Sequence, residues 1–240
     1  SMPYAQVHYP FENKEKFEGQ FPADYVVEYT GQIRAWFYVM HVLWVALFDK
    51  PAFRNVTVTW VLAGNDGRKM SKSYGNYPDP RASFEQYGGD AIRMYLLSSS
   101  LYSAWDPSVS DEYFAEALRG YVLPLWNAFY FFVTYANIDK WEAKTEYDIS
   151  TVEHPLDRFL YAKVQELITA VDESMQSYDL MRSSRALWSF LDDLTNWYIR
   201  RSRRRFWKEE HDADKENAYH TLYYALVNFC QVAAPFMPFI

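Results

Sequence analysis

Two lysines and two serines stand close together between Gly67 and Ser73. Lys69 and Lys72 are three residues apart, Ser71 and Ser73 each add a hydroxyl group, and glycines lie on both sides. A lysine ammonium is a compact, mobile charge that suits phosphate groups whose charge changes during a reaction. A solvated basic turn is the alternative for any two lysines at this spacing. The segment follows a β-branched stretch and precedes a Pro-rich turn, which favours a phosphate-binding loop at a strand end.

A second group of chemically useful residues lies earlier in the chain. Glu28, Gly31, Gln32 and Trp36 fall where a predicted strand gives way to a predicted helix. A carboxylate at such a junction can hold an ammonium group, a carboxamide can hold a ribose or a carbonyl group, and an indole can pack against an aliphatic side chain. The alternative is an ordinary helix start with a packed Trp36, and these residues alone leave both interpretations open.

The third group is a run of six cations within nine residues, with no acid among them. Such density destabilises a helix unless phosphates or carboxylates neutralise it. The aromatic residues between the cations can stack on bases or pack inside the protein. The alternative is a solvated face balanced by the acids that follow at positions 209, 210, 212 and 214. The cations are Arg200, Arg201, Arg203, Arg204, Arg205 and Lys208.

The composition narrows the class of protein. Hydrophobic residues make up 50% of the 240 residues and aromatic ones 20%, so the chain can build one large core or two small ones. The net charge of −7 argues against binding nucleic acid over the whole surface but permits a local basic patch. One cysteine, Cys230, excludes an internal disulfide and a multi-cysteine zinc site, and the five histidines lack metal-ligand spacing. Without a membrane-length apolar run or a signal peptide, we expect a cytoplasmic protein.

The periodicity of apolar residues predicts a strand, a helix and a second strand, followed by helices only. The first three elements form a βαβ unit, whose parallel strands should meet ligands at their carboxyl ends. Residues 1–24 are expected to be loop and short irregular pieces, residues 139–153 to be a connection between helices or a domain seam, and Asp90 to cap a helix starting at residue 91. The expected elements are a strand at 23–29, a helix at 31–49, a buried strand at 56–62, helices within 83–98 and 111–136, and apolar helical stripes at 156–175, 187–198 and 219–227.

These segments resemble the class I aminoacyl-tRNA synthetases. Residues 69–73, Lys-Met-Ser-Lys-Ser, are similar to the second signature motif of that class, which closes over the triphosphate of ATP. Residues 28–37 are similar to the pattern E-G-x-D-Q-x-R-G-W-F, the amino-acid and adenylate pocket of isoleucyl-tRNA synthetases. Tyr29, Gly31 and Ala35 depart from that pattern, and Gly31 stands where the family has an acid. The basic run lies in N-W-Y-I-R-R-S-R-R-R-F-W, which also resembles this family, and similar strings occur in order along nearly the whole chain.

The resemblance implies an α/β part followed by an all-α part. Residues 1–100 would be the second half of a Rossmann-type catalytic domain, and residues 101–240 a helical-bundle, anticodon-binding domain. The chain would belong to an isoleucine–tRNA ligase, which activates isoleucine with ATP and Mg²⁺ and transfers it to tRNA(Ile). By the same resemblance, Lys69, Lys72, Ser71 and Ser73 would be catalytic; Met70 and Lys72 would bind ATP; Glu28, Gly31, Gln32 and Trp36 would bind the aminoacyl-adenylate; and the six cations from Arg200 to Lys208 would contact tRNA.

Parts of the family pattern are absent from the sequence. There is no H-I-G-H motif, which is the first signature of the class, no editing domain and no zinc-binding module. We therefore expect a piece of a longer protein, inactive alone, monomeric, without a protein-bound metal and without membrane contact. A valyl- or leucyl-type synthetase is one alternative, and a non-catalytic RNA-binding helical protein is another.

Overall fold

The computed structural model describes residues 2–102, 106–144 and 147–240. The chain divides into two compact units, the first of Ser1–Met70 with Ser100–Ser108, the second of Ser71–Ser99 with Val109–Ile240. The sequence-based boundary at residue 100 differs from this division mainly for residues 71–99, which pack with the helical unit.

The first unit contains the predicted βαβ arrangement. Strand β1 (Ala23–Tyr29) and strand β2 (Phe53–Thr59) pair in parallel and are joined by helix α3 (Trp36–Phe48). Tyr29 lies beside Thr59 in the register, so both strands end at one edge. The helix starts at residue 36 instead of 31, because residues 30–32 form a separate 3₁₀ turn.

The expectation for the second strand is partly wrong. The strand starts at residue 53 instead of 56, and its residues are exposed or half-buried instead of buried. The described sheet has two strands, and hydrophobic β-branched residues on its faces, such as Val56, remain accessible.

Residues 1–24 are not a loop throughout, contrary to the expectation. Helices α1 (Pro3–Gln6) and α2 (Lys14–Gln20) form there. Phe17 of α2 stacks on Trp44 of α3 with ring centroids 5.7 Å apart, and Phe21 stacks on the same indole at 4.5 Å. This aromatic cluster is the core of the first unit, and its burial explains why a polar-looking segment folds as helix.

The second unit is helical, as predicted. Asp79 caps the first of its helices by accepting the N–H of Arg81 at 3.0 Å. The connection at residues 139–153 is confirmed for its described part, where residues 149–151 form a 3₁₀ turn; residues 145 and 146 lie outside the described ranges. The helices are α4 (Pro80–Tyr87), α5 (Gly89–Ser98), α6 (Asp111–Ala117), α7 (Leu123–Asp139), α8 (Pro155–Gln176), α9 (Leu180–Asp192), α10 (Arg200–Trp207) and α11 (Ala213–Ala233).

The apolar stripes meet in one core. Leu160 of α8, Leu187 of α9 and Leu222 of α11 are all fully buried, which confirms the stripes as core-forming faces. Met94 of α5 is buried in the same core, and this contact explains why residues 71–99 belong to the helical unit.

Two helices are widened by π turns. Residues 118–122 join α6 to α7, and residues 193–199 join α9 to α10. The first π turn comes just before Pro124, which has no N–H to continue a regular α-helix. The second leads directly into the basic run.

Asp90 does not cap a helix, contrary to the expectation. Gly88 occupies the N-cap position of α5, and Asp90 lies in the first turn. Its carboxylate accepts the backbone N–H of Phe239 at 3.1 Å. From the same helix, Arg93 donates to the carbonyl oxygens of Phe236 at 3.0 Å and Pro235 at 2.8 Å. Helix α5 therefore holds the residues that follow α11.

Within the part of the chain that the structure describes, no helix combines the length and the apolar character needed to cross a membrane.

Candidate functional site

The segment with the two lysines leaves the carboxyl end of β2 as a hairpin. The N–H of Met70 donates to the carbonyl of Leu62 at 3.2 Å, and that of Gly64 donates to the carbonyl of Arg68 at 2.8 Å. Gly67 turns the hairpin with a φ of +72°, a conformation that favours glycine. Lys69 is thus fixed through its backbone to the end of the strand.

The rest of the segment is a compact turn of the second unit. The hydroxyl oxygens of Ser71 and Ser73 lie 2.7 Å apart, and the N–H of Ser73 donates to the Ser71 hydroxyl at 3.2 Å. The N–H of Ser71 donates to the side-chain oxygen of Asn76 at 3.0 Å. Lys72 is exposed at the tip. Asn76 therefore supports the turn, a role that the sequence reasoning missed although an Asn beside a turn is a recognised signal.

Met70 has a specific consequence for the predicted ATP site. Met70 is expected to bind ATP, and in this conformation its N–H is already engaged with the carbonyl of Leu62. An adenine contact through that N–H therefore requires the hairpin to rearrange.

Lys69 approaches Tyr29, which lies within the second predicted segment but was not among its proposed binding residues. Its ammonium nitrogen lies 5.8 Å from the centre of the Tyr29 ring, within the range of a cation–π contact. Tyr29 is the last residue of β1, so the lysine hairpin and the strand end come together at the carboxyl edge of the sheet. The sequence singled out Tyr29 only as a departure from the family pattern.

The predicted adenylate-binding residues lie at the end of β1 and in the segment that leads from it into α3. Glu28 is exposed, and its carboxylate accepts the N–H of Tyr29 at 3.3 Å. The side-chain oxygen of Gln32 accepts the N–H of Trp36 at 3.0 Å, so Gln32 holds the first turn of α3. Trp36 is half-buried, with its ring 5.5 Å from that of Phe37. This geometry fits a packed helix start as well as a pocket wall.

Gly31 lies directly under the Tyr29 ring. A β-carbon on Gly31 would come within 2.5 Å of the Tyr29 hydroxyl oxygen, closer than such atoms can approach. The position where the family has an acid therefore has no room for a side chain while Tyr29 keeps this orientation.

The six cations of the basic run fall into two sets. Arg205 is 8% exposed and donates to both carboxylate oxygens of Asp157, at 2.7 and 2.6 Å. Lys208 pairs with Asp212 at 2.6 Å and with Asp214 at 3.1 Å. Lys208 is therefore neutralised by two of the acids that the alternative interpretation named, whereas Arg205 is buried and pairs chiefly with Asp157, which neither interpretation named.

The carboxylates change the acid–base behaviour of these two cations. Burial acts to lower the pKa of Arg205, but its hydrogen bonds to Asp157 and Asp214 raise it above the ordinary value. Burial likewise acts to lower the pKa of Lys208, and the contacts with Asp212 and Asp214 raise it above its ordinary value. Both side chains stay charged and stay paired.

The other four cations of the run are exposed. The guanidinium carbon of Arg201 lies 3.6 Å from the centre of the exposed Trp197 ring, within the range of a cation–π contact. The exposed set is Arg200, Arg201, Arg203 and Arg204.

Two sequence profiles match the chain. The profile of "tRNA synthetases class I (I, L, M and V)" matches residues 1–107, and that of the "Anticodon-binding domain of tRNA ligase" matches residues 157–240. The first match contains Lys69 and Glu28, and the second contains the whole basic run.

Curated relatives are similar over the whole chain. The isoleucine–tRNA ligase of Treponema denticola is 46% identical over 252 aligned residues, and that of Protochlamydia amoebophila is 47% identical over 240. Each alignment covers 100% of this chain and 23% of the relative, so the chain spans less than a quarter of their length. These relatives favour the isoleucine type over the valyl, leucyl and non-catalytic alternatives.

Solved structures share the fold. Methionyl-tRNA synthetase of Mycobacterium tuberculosis, in complex with methionyl-adenylate, matches with a TM-score of 0.78 at 23% identity, covering 98% of this chain and 46% of that one. LeuRS of Agrobacterium radiobacter, in a ternary complex with tRNA and LeuAMS, matches with a TM-score of 0.72 at 19% identity, covering 98% and 29%. The α/β part followed by an all-α part is confirmed, and the matched profiles and relatives show that the chain is similar to a fragment of class I tRNA synthetases.

Proposed function

We propose that the chain contributes the ATP-closing loop, part of the adenylate pocket and a tRNA-binding helix to an isoleucine–tRNA ligase. The observation that carries the proposal is the identity of 46–47%, along its whole length, to isoleucine–tRNA ligases. The position of the Lys69 hairpin, at the carboxyl end of parallel strands, supports it because ligands of α/β sheets bind at that edge.

Activation of isoleucine needs little covalent chemistry from the protein. A carboxylate oxygen of isoleucine bonds to the α-phosphorus of ATP, the bond from that phosphorus to the bridging oxygen breaks, and pyrophosphate leaves. Negative charge builds on the phosphates, so positioning and positive charge carry the catalysis. Lys69 and Lys72 supply that charge, and the hydroxyls of Ser71 and Ser73 donate to phosphate oxygens.

Mg²⁺ enters this reaction together with ATP. Among the described residues, no group of three or more His, Cys, Asp or Glu side chains is arranged to hold a metal ion. In our proposal the ion arrives bound to the phosphates of ATP, which agrees with the preference of Mg²⁺ for keeping several waters.

The pocket residues serve the amino acid. In our proposal Glu28 holds the ammonium group of isoleucine, Gln32 contributes a polar contact through its carboxamide, and Trp36 lines the space for the aliphatic side chain. Glu28 suits its role because its carboxylate is exposed at the strand end.

Transfer uses the helical unit. The four exposed arginines of α10 contact phosphates of tRNA(Ile), while a terminal hydroxyl of the tRNA attacks the carbonyl carbon of the adenylate and AMP leaves. Arg205 and Lys208 are not in this set, because carboxylates already neutralise them. A monomeric state and a cytoplasmic location stay predictions.

A chimera tests the proposal. The segment of the T. denticola ligase that aligns with this chain is replaced by the 240 residues, and isoleucine-dependent exchange of pyrophosphate into ATP is measured. We expect exchange with isoleucine, and a loss of about two to three powers of ten on Lys72→Ala. Lys16→Ala, an exposed lysine of α2, is the matched control and should leave the rate unchanged.

Two results would contradict the proposal. One is a folded chimera that charges no isoleucine while retaining tRNA(Ile) binding. The other is an active chimera in which Lys72→Ala behaves like Lys16→Ala.

A further inference from the structure

Three residues from separate parts of the first unit form one contact. Tyr29 ends β1, Gly31 follows it in the 3₁₀ turn, and Lys69 lies on the hairpin that leaves β2. The Tyr29 ring covers Gly31 on one side and meets the Lys69 ammonium at 5.8 Å. Both departures from the family pattern at these positions therefore belong to the same contact.

We propose that Tyr29 is a positioning residue for Lys69, and that Gly31 is small because the Tyr29 ring needs its space. The contact itself does not depend on the proposed function. Only the role that we assign to it, which is to bring Lys69 to the phosphates of ATP, rests on that function.

The backbone hydrogen bonds of the hairpin do not by themselves position the ammonium group of Lys69. They fix Leu62 to Met70 and Gly64 to Arg68, but they do not determine where a four-carbon lysine side chain points. An aromatic face within about 6 Å of an ammonium favours one position of that side chain. The register of β1 against β2 fixes the backbone of Tyr29, and the absence of a side chain at Gly31 leaves the ring room to lie beside the lysine.

Gly31 leaves the space that the Tyr29 ring occupies. The atoms that a β-carbon would strike are the outer atoms of the Tyr29 ring, which can rotate away because the residue is 41% exposed. Gly31 does not have a positive φ, so alanine fits its backbone. Gly31→Ala should therefore cost little global stability but should move the ring away from Lys69.

The test measures the reactivity of Lys69 relative to Lys72 in the same molecule. The 240-residue chain is treated with a limiting amount of an amine-acylating reagent, and peptide mass spectrometry gives the ratio of modified Lys69 to modified Lys72. Lys72 is the internal control, since it lies on the same loop and is exposed. No ATP, isoleucine or tRNA is added, so the result does not depend on the proposed function.

We expect Tyr29→Phe to keep the wild-type ratio, because the ring is retained. Tyr29→Leu and Gly31→Ala should each raise it about two- to fivefold, the factor that an exposed cation–π contact is worth. In the Tyr29→Leu background, Gly31→Ala should add nothing, because the two changes remove the same contact.

An unchanged ratio in Tyr29→Leu would overturn the proposal, and so would equal increases in Tyr29→Phe and Tyr29→Leu. If Tyr29→Leu does not fold, as circular dichroism would show, Gly31→Ala decides alone because it keeps the tyrosine. The same variants are then measured for activity in the chimera. Tyr29→Leu and Gly31→Ala should raise the KM for ATP or lower kcat, whereas Tyr29→Phe should keep both at their wild-type values. An inactive chimera with the expected labelling ratios would reject the proposed function and leave the contact standing, whereas an active chimera indifferent to Tyr29→Leu would reject the positioning role.

Discussion

The guanidinium of Arg205 donates hydrogen bonds to both carboxylate oxygens of the fully buried Asp157, at 2.7 and 2.6 Å. The hydroxyl of Tyr198 donates to the same carboxylate at 2.9 Å, and Asp214 accepts from Arg205 at 2.9 Å on its other side. This arginine, which stands among cations that suit RNA, is part of the core of the helical unit. It ties α10 to α8, and its removal should be felt as lost stability.

Arg205→Met should lower the free energy of unfolding by about 3–5 kcal/mol, because Asp157 would be left as a buried charge without its main partner. Arg203→Met, two positions away on the exposed face of the same helix, should stay within about 0.5 kcal/mol of wild type. Urea denaturation followed by circular dichroism measures both. Equal stability of the two variants would show that the buried pair does not hold the helices together.

Binding of tRNA(Ile) to the chain should depend strongly on salt. If the four exposed arginines each meet a phosphate, log K should fall with log salt at a slope of about −3 to −4. Arg203→Glu combined with Arg204→Glu should flatten the slope by roughly one unit or more. Lys208→Ala is the matched control, because Asp212 and Asp214 already engage that lysine.

A filter-binding titration over a range of salt concentrations gives these slopes. A salt-independent signal, or a Lys208→Ala variant that changes the slope as much as the double charge reversal, would assign tRNA binding to another surface.

The helical unit should fold without the βαβ part only if it keeps α4 and α5. A chain of residues 71–240 retains buried Met94 and the hydrogen bonds from Arg93 to the residues after α11. A chain of residues 101–240 loses both. We expect cooperative thermal unfolding for the longer chain and a lower Tm, or no cooperative transition, for the shorter one. Identical melting of the two chains would restore the boundary at residue 100.

Acid should destabilise the helical unit through its carboxylates. Burial acts to raise the pKa of Asp139, but hydrogen bonds from Lys215 and Tyr219 and the charges of Lys215 and His211 lower it below the ordinary value. A carboxyl group whose pKa is depressed by folding contributes stability above its unfolded pKa of about 4, and that contribution is lost as the pH falls through the folded value.

Asp139→Asn should therefore flatten the decline of stability below about pH 4. Glu153→Gln, an exposed residue of the loop before α8, is the control. Denaturation curves collected from pH 7 down to pH 3 decide the matter, and parallel curves for wild type and Asp139→Asn would contradict the assignment.

The pKa of His220 is lowered by burial. Its contribution therefore also decreases stability on acidification, beginning below the unfolded value of about 6.5.

The adenylate pocket offers a further prediction. In the chimera, Glu28→Gln should weaken a non-hydrolysable isoleucyl-adenylate analogue by about 1.5–3 kcal/mol, because the ammonium loses a charged acceptor. Glu18→Gln, on the exposed surface of α2, is the control. Calorimetry gives both affinities, and unchanged binding by Glu28→Gln would favour the packed helix start over the pocket.

Local patterns predicted the order and type of most elements. The parallel pairing of β1 and β2 followed from the βαβ pattern, and the three late stripes were core-forming because helical spacing puts their leucines on one face. The helix α2 was missed because its single apolar anchor, Phe17, gives no periodic signal; it folds through stacking on a distant indole. The role of Asp90 was wrong for a similar reason, since its partner Phe239 lies at the other end of the chain.

The candidate site shows the same limit. The motif residues were predicted from types and spacing, and Lys69 lies near the carboxyl end of β1, the edge at which such a loop is expected. Which cations of the basic run are available could not be found that way. Arg203 and Arg205 are the same residue type two positions apart, and only the packing of α10 against Asp157 separates an exposed cation from a buried one. The contact between Tyr29 and Lys69 joins two strand ends and leaves no local pattern.

The hold of α5 on the residues after α11 has a consequence for the order in which the chain folds. Its hydrogen bonds connect positions 142 to 149 residues apart in sequence. At a translation rate of about 5–20 residues per second, α5 leaves the ribosome roughly 7–30 s before its partners exist. During that interval α5 can already pack against α6 and the π turn at residues 118–122, but Asp90 and Arg93 have no final hydrogen-bond partners. Closing such a long loop is among the slower steps available to a helical protein. The helical unit is therefore expected to complete its core only after residues 235–239 have emerged, with the side chains of Asp90 and Arg93 hydrated until then.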